Sequence, residues 1–113
     1  MRGAQAEDAA LRLLLAHGLK LVCRNYRCRG GELDLVMLDG QTLVVVEVRA
    51  RSHAGFASAL ESIDRRKQDR LVHATQMFLA AHPAHAGRAV RFDVLGFGAD
   101  GRANWVRAAF DAA

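Results

Sequence analysis

The hydrophobic positions change period along the chain, and those changes outline a fold. From Ala4 to His17 the apolar residues Leu11, Leu14 and Leu15 recur on one helical stripe, closed by Gly18. Leu19 to Tyr26 alternates, with Leu19, Leu21 and Cys23 on one side, as a strand does. Two runs rich in β-branched residues follow, at about 32–38 and 42–50. Asp39-Gly40 separates them, a dipeptide that favours a two-residue hairpin turn. Ser52 to Ser58 reads as a loop. A second helix is expected from Ser58 or Ser62 to Ala81, stopping before Pro83, and Ser58-Ala-Leu-Glu61 fits a capping box. Val90 to Phe97 is a fourth strand, Gly98 to Gly101 a turn, and Asn104 to Phe110 a fifth strand. The order αβββαβ(β) predicts an α/β fold: a mixed sheet with a central antiparallel hairpin, flanked by helices.

The hairpin departs from a simple apolar pattern. With Asp39-Gly40 as the loop, Leu38 faces Gln41, Asp34 faces Val45 and Glu32 faces Glu47. Glu32, Asp34, Glu47 and Arg49 then share one face, and Leu33, Leu35, Met37, Val44, Val46 and Val48 the other. Two opposed glutamates destabilise a sheet by roughly 0.2–1 kcal/mol, so this face is either a solvated surface neutralised by Arg49 or a site. Asp34 and Glu47 are close enough in this register to share a cation, and Mg²⁺ takes carboxylate oxygens together with water and phosphate.

Both helices carry a charge on the stripe that faces the sheet. Glu7 shares its stripe with Leu11 and Leu14, and Lys67 lies between Ile63 and Leu71 on a stripe continuing through Ala74 and Phe78. Each is either snorkelling at the rim or aimed at a polar site on the sheet. That both stand near helix N-termini, over a hairpin bearing acids, favours a shared site.

Composition narrows the choice. The 113 residues suit one domain spanning residues 1–113. Hydrophobic content of 51% with 25% charged residues excludes a disordered chain. The net charge is +4, and of 16 basic residues only Lys20 and Lys67 are lysines. Arginine suits bidentate phosphate contacts, so the balance is compatible with nucleic acid. Cys23 and Cys28 form neither a disulfide framework nor a zinc pattern. His82-Pro-Ala-His85 reads as a helix-terminal loop rather than a metal site. The N-terminal segment, with Glu7, Asp8 and Arg12, is an amphipathic helix and not a signal peptide. No stretch is apolar enough to span a membrane, and the expected location is the cytoplasm.

The blocks Ala6-Glu7-Asp8-Ala9-Ala10, Arg24-Asn25-Tyr26-Arg27, Gly31-Glu32-Leu33-Asp34-Leu35, Val45-Val46-Glu47-Val48-Arg49-Ala50-Arg51, Lys67-Gln68 and Arg91-Phe92-Asp93-Val94 resemble the bacterial YraN family over nearly the whole chain. That family is similar to the restriction-endonuclease-like superfamily and, within it, to archaeal-type Holliday junction resolvases. The resemblance implies an αβββαβ nuclease domain with a PD-(D/E)xK site. On it, Asp34 matches the metal-binding aspartate and Glu47 the acid of the (D/E)xK segment. The Val48 carbonyl is a further ligand, Glu7 a first-helix glutamate completing the metal shell, and Glu32 a lesser candidate. Mg²⁺ or Mn²⁺ is the implied cofactor.

The chain departs from the pattern in two places: Leu33 precedes Asp34 where the motif has proline, and Arg49 stands where it has lysine. A guanidinium cannot serve as a general base, though it can hold phosphate or developing negative charge. Lys67 is the candidate replacement amine. Arg24, Arg27, Arg29, Arg51, Arg65, Arg66 and Arg70 flank the site in sequence as phosphate contacts. Tyr26 is expected to pack on the hairpin, Phe92, Val94, Phe97 and Trp105 to lie in the core, and Asp93 to support Lys67 or Arg70. The leading expectation is a metal-dependent endonuclease on DNA (more than RNA), including branched or junction structures and a possible homodimer. The alternative is a nucleic-acid-binding module disabled by Arg49, and a third class is a subunit acting with a protein partner.

Overall fold

The computed structural model describes residues 3–50 and 63–112. Their elements are α1 (Gly3–Ala16), β1 (Lys20–Cys28), β2 (Gly31–Asp39), β3 (Thr42–Ala50), α2 (Arg65–Ala81), β4 (Val90–Phe97) and β5 (Ala103–Phe110). The molecule is α/β, with one five-stranded mixed sheet in the order β1-β2-β3-β4-β5. β1, β2 and β3 form an antiparallel meander, β4 lies parallel to β3 after the α2 crossover, and β5 returns antiparallel. The strand bounds fall within a residue or two of those expected from alternation.

The helices cover opposite faces, so the hairpin has no open polar face. On one side Val36, Leu43, Val45, Phe92 and Val94 pack with Leu71, Ala74 and Phe78 of α2. On the other, Leu35, Met37, Val44, Val46, Leu95 and Phe97 pack with α1. The buried stripe of α1 is Ala6, Ala10 and Leu14, while Leu15 is exposed, which corrects the leucine stripe expected from spacing. Alanines at the contact let the helix approach the sheet closely. The stripe of α2 runs as expected, from buried Ile63 just before the helix through Leu71, Ala74 and Phe78. Its start differs: Asp64 is the N-cap and accepts from the Lys67 N–H at 2.8 Å. The Ser58–Glu61 capping box and Arg51 lie outside the described residues.

The hairpin register also differs from expectation. Asp39 pairs with Thr42 and Leu38 with Leu43, so the loop is Gly40-Gln41. Gly40 takes φ 60° at the first turn position, a conformation that glycine reaches without the Cβ penalty. Glu32 and Glu47 therefore do not oppose one another, and Glu32 pairs with Arg27 at 3.3 Å.

Besides the β1 bulge between Leu21 and Cys23 and the shift between Phe92 and Val94, strand alternation breaks at facing positions on β1 and β2. Leu33 lies in the cluster beneath α2, whereas Leu35, two residues on, lies beneath α1. Leu33 is thus not on the face the simple pattern assigned to it. On β1, Tyr26 and Cys28 pack on the α2 side while Arg24 reaches Glu7 and Asp8 of α1. Asn25, at φ 56°, lies between the Arg24↔Leu35 and Tyr26↔Leu33 pairs, across from Asp34. Asparagine is among the few non-glycine residues that tolerate this left-handed conformation. Because both strands kink together, their register stays in step.

Asp93 is buried and belongs to the far side of the sheet. It accepts from Arg91 Nε and Nη2, Trp105 Nε1 and the Ala108 N–H, all at 2.9–3.1 Å. It therefore ties β4 to β5, and its expected support of Lys67 or Arg70 is replaced by these partners. Phe92, Val94 and Phe97 are core, and Trp105 is partly buried. The His82–His85 segment is a helix end: His82 Nδ1 bonds the Phe78 carbonyl, and His85 Nδ1 accepts from Arg88. Removing the Asp93 carboxylate by Asp93→Ala strands a partly buried guanidinium and an indole N–H, and should lower stability by about 3 kcal/mol in urea denaturation.

Candidate active site

The β2–β3 ladder stops at Leu35↔Val46. Beyond that point the Val48 N–H donates not to a strand carbonyl but to Asp34 Oδ2, at 2.9 Å. The kink at Asp34 thus turns its carboxylate into the gap opening between the two strands. Glu47, one residue before Val48, lies in the same gap with its side chain only 5% exposed.

Glu47 Oε2 has two cationic partners, Lys67 Nζ from α2 and Arg49 Nη2 from β3, both at 3.4 Å. Glu47 Oε1 is buried with no hydrogen-bond partner among the described residues, as is Arg49 Nε. A buried carboxylate oxygen left unpaired is costly. Burial, first, and the neighbouring Asp34 charge, second, push the Glu47 carboxyl from its ordinary 4.5 up to about 7. A hydrogen bond to Asp34, which exists only when one of the two carboxyls carries a proton, acts in the same direction, while Lys67 and Arg49 oppose it.

Glu7 approaches from α1. Burial and the Asp34 charge raise its pKa, against opposing contributions from Arg24 and a side-chain hydrogen bond with Asn25. Among the described residues no three His, Cys, Asp or Glu side chains converge as a ready ligand group. The potential metal donors are therefore the Asp34–Glu47 pair, with Glu7 near enough to Asp34 to feel its charge. A hard cation requires one or two carboxylates with water completing its shell, and the orphaned Glu47 Oε1 fits that requirement.

The structure brings Asp34, Glu47, Arg49 and Lys67 together and sets Glu7 at the edge. It separates the arginines into groups. Arg24 is engaged by Asp8 at 2.9 Å and Glu7 at 3.7 Å, and Arg65 by Asp69 at 3.2 Å. Arg29, Arg66 and Arg70 are exposed with no ion pair among the described residues. Tyr26, expected to pack on the hairpin, meets Phe78 of α2 edge-on. Asn25 was not among the site residues expected from the sequence. Its only signal there is that asparagine suits a left-handed position within a strand.

A model described as "Uncharacterised protein family UPF0102" matches residues 6–97. The chain belongs to the UPF0102 family. It is similar to a UPF0102 protein of Pseudomonas entomophila, 52% identical over 96% of this chain and 92% of the relative. A UPF0102 protein of Stutzerimonas stutzeri is 53% identical over 96% of the chain and 93% of the relative. One from Bordetella avium is 56% identical over 97% of the chain and 74% of the relative. The UPF0102 match spans every residue of the Asp34–Glu47–Lys67 constellation, and the YraN resemblance of its sequence blocks is in keeping with it.

A raised carboxyl pKa means that the folded state holds the Glu47 proton more tightly than the unfolded chain does. The stability this contributes is present below about pH 4.5 and is lost as pH rises through about 7. Glu47→Gln removes the titration. Without divalent metal, its stability relative to wild type should improve by about 2 kcal/mol between pH 5 and pH 8. Parallel curves for the two proteins in urea titrations at both pH values would contradict this.

Proposed function

We propose that this UPF0102 protein is a divalent-metal-dependent phosphodiester hydrolase acting on nucleic acid, with a restriction-endonuclease-like domain as its scaffold. The observation that carries the reading is the unpaired, buried Glu47 Oε1 beside Asp34, with Lys67 reaching the same carboxylate from α2. Asp34 and Glu47 would hold Mg²⁺ or Mn²⁺, with the Val48 carbonyl as the expected backbone ligand and Glu7 from α1 completing the shell. Bound there, the cation supplies Lewis-acid polarisation of a phosphate and a more acidic water.

The protein's own residues then divide the work. Val48 fixes the Asp34 carboxylate through its N–H. Arg49 stays protonated, so its part is to hold a phosphate oxygen and stabilise charge developing on it. Lys67, 25% exposed and 3.4 Å from Glu47, would supply the amine that residue 49 lacks, orienting the attacking water or holding the same phosphate. DNA is the favoured substrate, branched or junction forms included, and a homodimer would suit a symmetric junction.

A second reading draws on a specific observation: Glu47 already has two cations within 3.4 Å. Such neutralisation also suits a metal-free binding module. The two readings part in a cleavage assay on labelled single-stranded, duplex, flap and four-way-junction DNA with Mg²⁺ or Mn²⁺. The hydrolase reading expects metal-dependent products, reduced by at least about a hundredfold in Asp34→Ala and Glu47→Ala variants that stay folded. Binding without products under every metal favours the binding module. Equal cutting by the variants and the wild type removes these residues from the site.

A further inference from the structure

A groove of about 470 Å³ opens beside the carboxylate pair, walled by Arg27 on β1 and by Lys67 and Arg70 on α2. Its floor is the β1–β2 turn, where Cys28, Gly30 and Gly31 lie against the helix. That closeness depends on glycine: a Cβ at Gly31 would stand 2.8 Å from the Arg70 carbonyl oxygen. His73 Nε2, bonded to the Arg29 carbonyl at 3.0 Å, fixes the turn to α2.

Three cations line this groove against one carboxylate, Glu32, which Arg27 already neutralises at 3.3 Å. Lys67 belongs both to the groove wall and to the Glu47 ion pair, so the groove is continuous with the candidate active site. Arg70 is exposed and has no ion pair among the described residues. An open trough lined by three cationic side chains, two of them paired with Glu32 and Glu47 and Arg70 left over, with no large apolar side chain in its lining, suits a chain of phosphodiesters better than a hydrophobic ligand or a folded protein surface.

We infer that the Arg27–Lys67–Arg70 groove is a backbone-binding subsite that holds the phosphodiesters of a nucleic-acid strand next to the one at the Asp34–Glu47 pair. The inference deepens the proposed hydrolase reading by giving the strand a direction: away from the carboxylates, past Lys67, toward the β1–β2 turn. Arg27 and Arg70 act as positioning residues, and the subsite reads charge rather than base. Arg24 and Arg65 do not line the groove and lie outside the subsite.

The test is binding of short single-stranded DNA and RNA oligonucleotides to the full chain in EDTA, followed by anisotropy across a salt series. The Arg27→Ala/Arg70→Ala variant should bind about tenfold more weakly, with its salt slope reduced by about 0.7 for each phosphate that is no longer neutralised. Arg102→Ala, in the β4–β5 turn near the opposite edge of the sheet, should bind as wild type does. In a Cys23→Ser background, the same oligonucleotides should slow modification of Cys28 in the groove by a thiol reagent. The tighter of the DNA and RNA arms identifies the strand. Unchanged binding in the double variant, an equal weakening in Arg102→Ala, or Cys28 modification indifferent to oligonucleotide would each overturn the subsite. Groove binding without cleavage under any metal leaves the subsite standing and removes the hydrolase; cleavage with unchanged binding in the double variant does the reverse.

Discussion

The site depends on the Val48 N–H meeting Asp34 Oδ2 instead of a strand carbonyl. A buried main-chain donor that leaves its ladder must find another acceptor, and the carboxylate supplies one while being fixed by it. The exchange requires Asp34 to leave regular alternation, which it does opposite Asn25 in its left-handed conformation. The paired breaks on adjacent strands keep the β1–β2 register in step from Arg24 to Tyr26, and the β2–β3 ladder ends beside them. The fully buried alanines of α1 and the glycine turn beneath α2 then bring Glu7 and Lys67 to the gap from opposite faces.

Charge follows from that geometry. Glu47 is buried because β3 is a central strand covered by α2, and a buried carboxylate needs compensation. Lys67 and Arg49 compensate one oxygen and leave the other unpaired. The balance is left incomplete by the fold: two carboxylates and two cationic side chains share the gap, with one carboxylate oxygen unpaired. Lys67 reaches the same carboxylate as Arg49 because Asp64 caps α2 three residues earlier and sets its first turn.

Much of this was legible in the sequence. The periods of two and of three to four residues marked the strands and helices, and a charge interrupting an apolar stripe pointed to Glu7 and Lys67. The helix rotation was harder to read. Ala6 and Ala10 carry little hydrophobic signal, so the leucines drew the stripe of α1 to the wrong angle. The hairpin slipped by two because Asp39-Gly40 has the turn composition, while Asp39 in fact ends β2 with its carboxylate on Arg91. The break at Asn25 and Asp34 was invisible to pattern reading, since it depends on two strands kinking together. Asp93 was misassigned for a similar reason: its partners are Arg91 beside it and Trp105 and Ala108 of β5, and no periodicity reveals the left-handed break at Ala108 within that strand.

The central claim is that the gap between β2 and β3 holds a divalent cation on Asp34 and Glu47. Titrating Mn²⁺ into isotopically labelled protein and following amide resonances tests it directly, because paramagnetic broadening falls off steeply with distance from the ion. The account predicts saturable loss of the Asp34, Glu47 and Val48 signals first, and their retention in the Asp34→Asn/Glu47→Gln variant. Broadening centred on another part of the molecule, or none that saturates, would contradict it.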